Sequence, residues 1–166
     1  PHQWRWGLSF LTQCTDAAFE RNVRQLVALG RYSHESLKGV VAQTGIQYRQ
    51  SPLSQTIAAA PEAPQAGDRF PWTHVAFRPD GPSEDVFQKM DDTRFTLLIF
   101  GQPGSRVSLA GFGDLVDVHT IPQTPENDAA LAALSINGPA YYLVRPDGHI
   151  ALVGSHFNEA DVRLWF

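Results

Sequence analysis

Cysteine is almost absent, with Cys14 the single one in 166 residues. A disulfide within the chain is therefore excluded, and so is any Cys-x-x-Cys redox or zinc motif. A lone thiol without a partner reads as an inert core residue. Lysine is scarce as well: Lys38 and Lys89 are the only two, the arginines are scattered, and the net charge is -4. Without clustered cations to neutralise phosphates, no nucleic-acid surface is expected. No apolar run approaches the roughly 20 residues of a membrane span. The opening PHQWRWGLSF lacks the long apolar segment of a signal peptide, so a cytoplasmic location with no membrane partner is expected. His2, His34, His74, His119, His149 and His156 form no His-x-x-x-His or His-Glu-x-x-His pattern, and no metal site is expected. No serine stands in a Gly-x-Ser-x-Gly context, and no Gly-x-Gly-x-x-Gly opens a helix. The residues thus nominate no catalytic, cofactor-binding or metal-binding position.

What is present reads as a globular chain, 43% hydrophobic and 18% charged. Residues 1–50 carry helical periodicity. Phe19, Val23, Leu26 and Val27 share one face, with Asp16 or Thr15 able to cap and Gly30 to stop it; Leu37, Val40 and Val41 repeat the pattern up to Gly45. The apolar cluster Trp4, Trp6, Leu8, Phe10 and Leu11 is expected to pack on the domain or to mark a docking surface. Residues 51–68, SPLSQTIAAAPEAPQAGD, have the composition of a linker. The domain is expected over 69–166.

From Arg69 onward strands and helices alternate. WTHVAF reads as a strand closed by Pro79-Asp80-Gly81, and PSEDVFQKM as a short helix capped by Ser83. FTLLIF, apolar but for Thr96, reads as a central strand covered on both faces. LVDVHTI is a second inner strand, and ENDAALAALSI an amphipathic helix ending at Asn137-Gly138-Pro139. AYYLVR and HIALVG form a hairpin through Pro146-Asp147-Gly148, and NEADVRLWF a last helix capped by Asn158. In both Arg-Pro-Asp-Gly segments the glycine is expected at positive φ. The order is that of an α/β domain, a thioredoxin-like mixed central sheet flanked by helices and preceded by a helical segment. In that fold GQPGS, after FTLLIF, stands where redox cysteines would sit, and neither Gln102 nor Ser105 can exchange a disulfide. Pro139 occupies the place of a thioredoxin's cis-proline; a cis bond as a structural relic and an ordinary trans bond are the two alternatives.

Three stretches, YRQSPLS, AGDRFPW and YLVRPDGHIALVG, resemble the C-terminal region of FAD-dependent aromatic monooxygenases, the relatives of para-hydroxybenzoate hydroxylase, phenol hydroxylase and the polyketide hydroxylases. The resemblance rests on a Gly-Asp-Arg-x-Pro motif and an Arg-Pro-Asp-Gly hairpin at this separation, and covers most of residues 46–166. It implies a thioredoxin-like module without active-site cysteines. Such a module is non-catalytic, packs on the flavin and substrate domains of its parent chain and supports subunit association in a homodimer. FAD and NAD(P)H are implied for the parent and none for this fragment. The absence of an initiator Met, and an end inside a helical pattern, add the expectation that both ends are cut. The alternative is a free-standing thioredoxin-like binding module without redox activity.

Overall fold

The computed structural model describes residues 46–102, 109 and 111–166. The chain divides into two units, Pro1–Ile46 and Gln47–Phe166, and the described residues from Gln47 onward belong to the second. Cys14, the two N-terminal helices, the Trp4–Leu11 cluster, His2, His34 and Ser105 lie outside the described residues.

A six-residue run that is apolar but for Thr96 can be buried only with protein on both faces, and this is where FTLLIF lies. As β4 (Phe95–Phe100) it sits inside a five-stranded sheet. It runs parallel to β5 (Val116–Ile121) on one side and antiparallel to β6 (Ala140–Val144) on the other. β6 continues antiparallel into β7 (Ile150–Gly154), and the order across these four strands is β5-β4-β6-β7. This is the expected thioredoxin-like mixed sheet. Alternate β4 residues feed two cores. Leu98 and Phe100 pack with Ile121, Tyr142, Val144, Leu131 and Val75; Leu97 and Ile99 pack with Tyr141, Leu143, Leu152 and Val162. Each fully buried aliphatic or aromatic side chain contributes about 1.5–3 kcal/mol, so the two layers dominate the stability.

The helices begin where the sequence provides caps. In α1 (Pro125–Ala132) the Thr124 hydroxyl accepts from the Asn127 amide at 3.2 Å, and Pro125 stands at the first helical position, where its missing N–H costs nothing. In α2 (Glu159–Trp165) the Asn158 side chain accepts from the Ala160 amide at 3.1 Å, as expected.

Residues 51–68 are not a linker in the structure. Gln55–Thr56 form β1, which extends the sheet by pairing parallel to β7, and Ala63 and Ala66 are buried. Composition misreads this segment because its backbone finds partners in β7 and within itself: the Ile57 amide donates to Val153 of β7 at 2.9 Å, and the Ala66 amide to the Thr56 hydroxyl of β1 at 3.1 Å.

The expected helix at 82–90 is also different. Ser83–Asp85 form β3, antiparallel to β2 (His74–Ala76) in a separate two-stranded sheet, and only Val86–Lys89 turn, as a 3-10 helix. Asp85 rather than Ser83 is the cap, its carboxylate accepting from the Phe87 amide at 2.9 Å. Ladder bonds to β2 outcompete helix formation in the first three residues. α1 stops at Ala132, short of the apolar pattern, with Ser135 at φ 61 turning the chain.

No described peptide bond is cis, so Gly138-Pro139 is trans. The two Arg-Pro-Asp-Gly turns differ as well. Both close with the glycine amide donating to the arginine carbonyl, but only Gly148 lies at positive φ, at +82°; Gly81 does not.

Candidate functional site

The carboxyl ends of parallel strands are where open α/β sheets take ligands. Here β4 and β5 end on a groove of about 520 Å³, lined by Phe77, Pro79, Gly101, Gln102, Thr120, Pro122 and Gln123. None of these residues titrates near neutrality, and none is a nucleophile of the thiol type. Gln102 stands just beyond β4, and its amide is engaged at both ends. The carbonyl oxygen accepts from the Phe157 amide at 2.8 Å, and the amide nitrogen donates to the Ala140 carbonyl at 3.4 Å. The residue thus ties the end of β4 to the start of β6 and to the loop before α2. A Cβ on Gly101, at φ +63°, would stand 3.6 Å from the Pro139 Cα, so the two positions compared with a redox site do lie side by side.

The two motifs that carry the resemblance also meet. The chain from Gly67 to Phe70 runs along Gly148 to Ile150. The Gly67 amide donates to Ile150 at 2.7 Å, the Ile150 amide to Asp68 at 2.8 Å, and the Phe70 amide to Gly148 at 2.9 Å. Tyr48 closes a third side, its amide donating to the Gly67 carbonyl at 2.7 Å. Gly67 lies at φ +91°, and a Cβ there would stand 2.3 Å from the Tyr48 carbonyl carbon and the Arg49 nitrogen. Only glycine fits.

Asp68 is the polar centre of this junction. Arg49 donates to both of its oxygens, at 2.7 and 2.8 Å, and the Gln65 amide adds a bond at 2.9 Å. Burial opposes ionisation of Asp68, but the Arg49 guanidinium and the Gln65 amide outweigh it and hold the carboxyl below its ordinary value. A carboxylate lowered in the folded state contributes stability above its unfolded pKa, and that contribution fades as pH falls through the folded value. The stability gap between wild type and Asp68→Asn is therefore expected to be full at pH 7 and to close below pH 3.8. Urea titrations at pH 7 and pH 3 would show it; a pH-independent gap would mean that the charge of Asp68 is immaterial.

Arg69, the third motif residue, lies over the Phe87 ring, 6.0 Å from its centre. Arg145 pairs with Asp147 of its own turn at 2.5 Å. The Asp147 carboxylate also accepts from the His149 amide at 3.1 Å, the Asx bond expected of such a turn.

The described histidines are scattered. His149 is buried against the Tyr48 ring, with Nδ1 3.3 Å from Asp147 Oδ1. His74 stacks edge-on with Trp72, and His119 with Phe77. Among the described residues no three His, Cys, Asp or Glu side chains gather to hold a metal, and no helix is long and apolar enough to cross a membrane.

One polar residue escaped the sequence reading. Asn127 is buried in the first turn of α1. Its Oδ1 accepts from the Ala76 amide at 2.8 Å, and its Nδ2 donates to the Ala76 and Pro122 carbonyls at 3.0 and 2.8 Å. It pins β2 to the sheet-and-helix body. Its place three residues after the Thr124 cap was the one available signal.

Comparison with known proteins places this architecture. Two solved flavoproteins share the fold. The flavin-dependent monooxygenase PieE, solved in complex with FAD and substrate, aligns with a TM-score of 0.52 at 20% identity, over 97% of this chain and 30% of that one. Aklavinone-11 hydroxylase, solved with FAD and aklavinone, aligns with a TM-score of 0.50 at 21% identity, over 71% and 24%. Among curated sequences, a D-amino acid dehydrogenase of Granulibacter bethesdensis is 41% identical over 46 residues, 28% of this chain and 11% of that protein. The D-amino acid dehydrogenase of Xanthobacter autotrophicus is 36% identical over 53 residues, 32% of this chain and 13% of the relative. This chain thus spans under a third of the length of the solved structures and about a ninth of the curated relatives. The family comparison is far broader, covering residues 63–165, which include the paired Gly-Asp-Arg-x-Pro and Arg-Pro-Asp-Gly motifs: the chain belongs to the aromatic-ring hydroxylase C-terminal family.

Proposed function

We propose that this chain is the non-catalytic C-terminal module of a larger FAD-dependent aromatic hydroxylase. The parent is a cytoplasmic enzyme that uses FAD, NAD(P)H and oxygen to hydroxylate an aromatic ring. The module packs on the flavin and substrate domains and supports homodimer formation. One observation carries this reading: at the end of β4, Gly101 and Gln102 stand in the redox position, and the Gln102 amide is spent on holding Ala140 and Phe157. A group bonded at both ends to the backbone is a structural tie rather than a reactive one.

The test is a flavin titration of the 166-residue chain. FAD fluorescence is expected to stay unquenched at micromolar protein, because nothing described here forms a pyrophosphate-binding turn. Saturable, stoichiometric quenching would overturn the assignment. The coding sequence upstream of Pro1 provides an independent check. An open frame carrying a Gly-x-Gly-x-x-Gly strand-to-helix turn supports the reading; a start codon close to Pro1 favours a free-standing thioredoxin-like binding module.

A further inference from the structure

His119 has no part in either site described above, yet its surroundings are unusual for a histidine. It lies on β5, an outer strand of the sheet, on the face that β4 continues with Leu98. Its ring meets Phe77 edge-on, 5.5 Å between centres, and the Lys89 backbone carbonyl lies within bonding range of it. Nε2 is buried with no hydrogen-bond partner among the described residues. Phe77 follows β2, and Lys89 ends the 3-10 turn after β3, so one imidazole touches both ends of the segment 77–89.

Among the described residues the charged groups around it are few. The Lys89 ammonium lies over the Phe77 ring at 5.4 Å and pairs with Glu84 at 2.5 Å. On the histidine's own strand Asp117 pairs with Arg94 at 2.9 Å. Both carboxylates already have cations; Asp117 still draws a charge onto the ring, while burial and the Lys89 ammonium oppose it.

We propose that His119 is an acid-sensitive fastener: taking up a proton at its half-buried imidazole loosens the segment 77–90 from β5 while the five-stranded sheet stays folded. The cost of charging a ring packed against Phe77 falls on the weaker partner. That partner is the stretch 77–90, in which Val86 is the one fully buried residue, and segments with few buried contacts open first. Burial, ahead of the opposing pull of Asp117, sets the folded imidazole below its ordinary 6.5. The fastening is therefore complete above that value, and weakens as pH falls from 6.5 toward the folded pKa.

The experiment is a histidine NMR titration of the whole chain from pH 8 to 4.5, paired with amide exchange corrected for its intrinsic pH dependence. His119 is expected to titrate below 6.5. Over the interval between the two pKa values, exchange at 77–90 is expected to rise by up to about tenfold per pH unit, with β4, β6 and β7 unchanged. His119→Leu is expected to abolish the acid response. Two charge variants test the same idea should that protein fail to fold: Lys89→Gln moves the titration up, and Asp117→Asn moves it down. Titration of His119 at or above 6.5, protection at 77–90 that ignores its titration, or an acid response that survives His119→Leu would each overturn the proposal.

Discussion

Gly67→Ala is expected to destabilise the module by about 4 kcal/mol, the sum of a forced positive φ and a steric overlap that backbone cannot relieve. At φ +91° an L-residue is strained whatever the space around it, and here the added methyl would stand 2.3 Å from backbone atoms of Tyr48 and Arg49. Relief would require the 48–49 segment to withdraw. That would break the Tyr48–Gly67 hydrogen bond and carry Arg49 away from Asp68. Gly138 provides the control. It has the same φ of +91°, but nothing lies within 4 Å of a Cβ there. Gly138→Ala should therefore cost only the strain, about 1–2 kcal/mol. Urea denaturation of both variants separates the two terms. Equal losses at the two sites would show that the junction yields and that its packing is not what requires glycine.

Asn127→Ala is expected to cost about 3 kcal/mol although it removes only a small polar side chain. The substitution leaves the Ala76 amide and the Ala76 and Pro122 carbonyls short of the bonds they now make in a buried site. Each buried backbone group left unpaired costs about 1–3 kcal/mol, partly recovered where water reaches it. Asn127→Asp is an instructive second variant. It keeps an acceptor for the Ala76 amide but sets a carboxylate against two carbonyls, so it too should destabilise, and more at pH 7 than at pH 4. The loss should concentrate in β2 and β3, read as faster exchange of the Ala76 amide. Undiminished protection of that amide in Asn127→Ala would mean that the hairpin is held by other contacts, such as burial of Val75 and Val86.

The site was legible from the sequence only in its parts. The lack of a thiol after β4 could be read from GQPGS, and the family from two short motifs. That Gln102 has both ends of its amide occupied could not be read, because its partners Ala140 and Phe157 are 38 and 55 residues away. Nor could the meeting of the two motifs, whose bonds join positions about eighty residues apart. The cis alternative for Pro139 came from analogy of position, and in the trans bond observed the backbone does not follow that analogy.

The sequence by itself determined what local chemistry can specify. A six-residue run apolar but for Thr96 required a strand covered on both faces, Asn158 set the start of the last helix, and Pro146-Asp147-Gly148 closed the β6–β7 turn. A single cysteine excluded dithiol chemistry before any fold was known. Tertiary structure decided the rest, wherever a segment's hydrogen-bond partners lie far along the chain. Residues 51–68 look like a linker until β7 offers them an edge, and Ser83–Asp85 look helical until β2 lies beside them. The physical reason is the same in both cases. Local propensities differ by only tenths of a kcal/mol per residue, so a ladder of backbone bonds to a distant strand outweighs them.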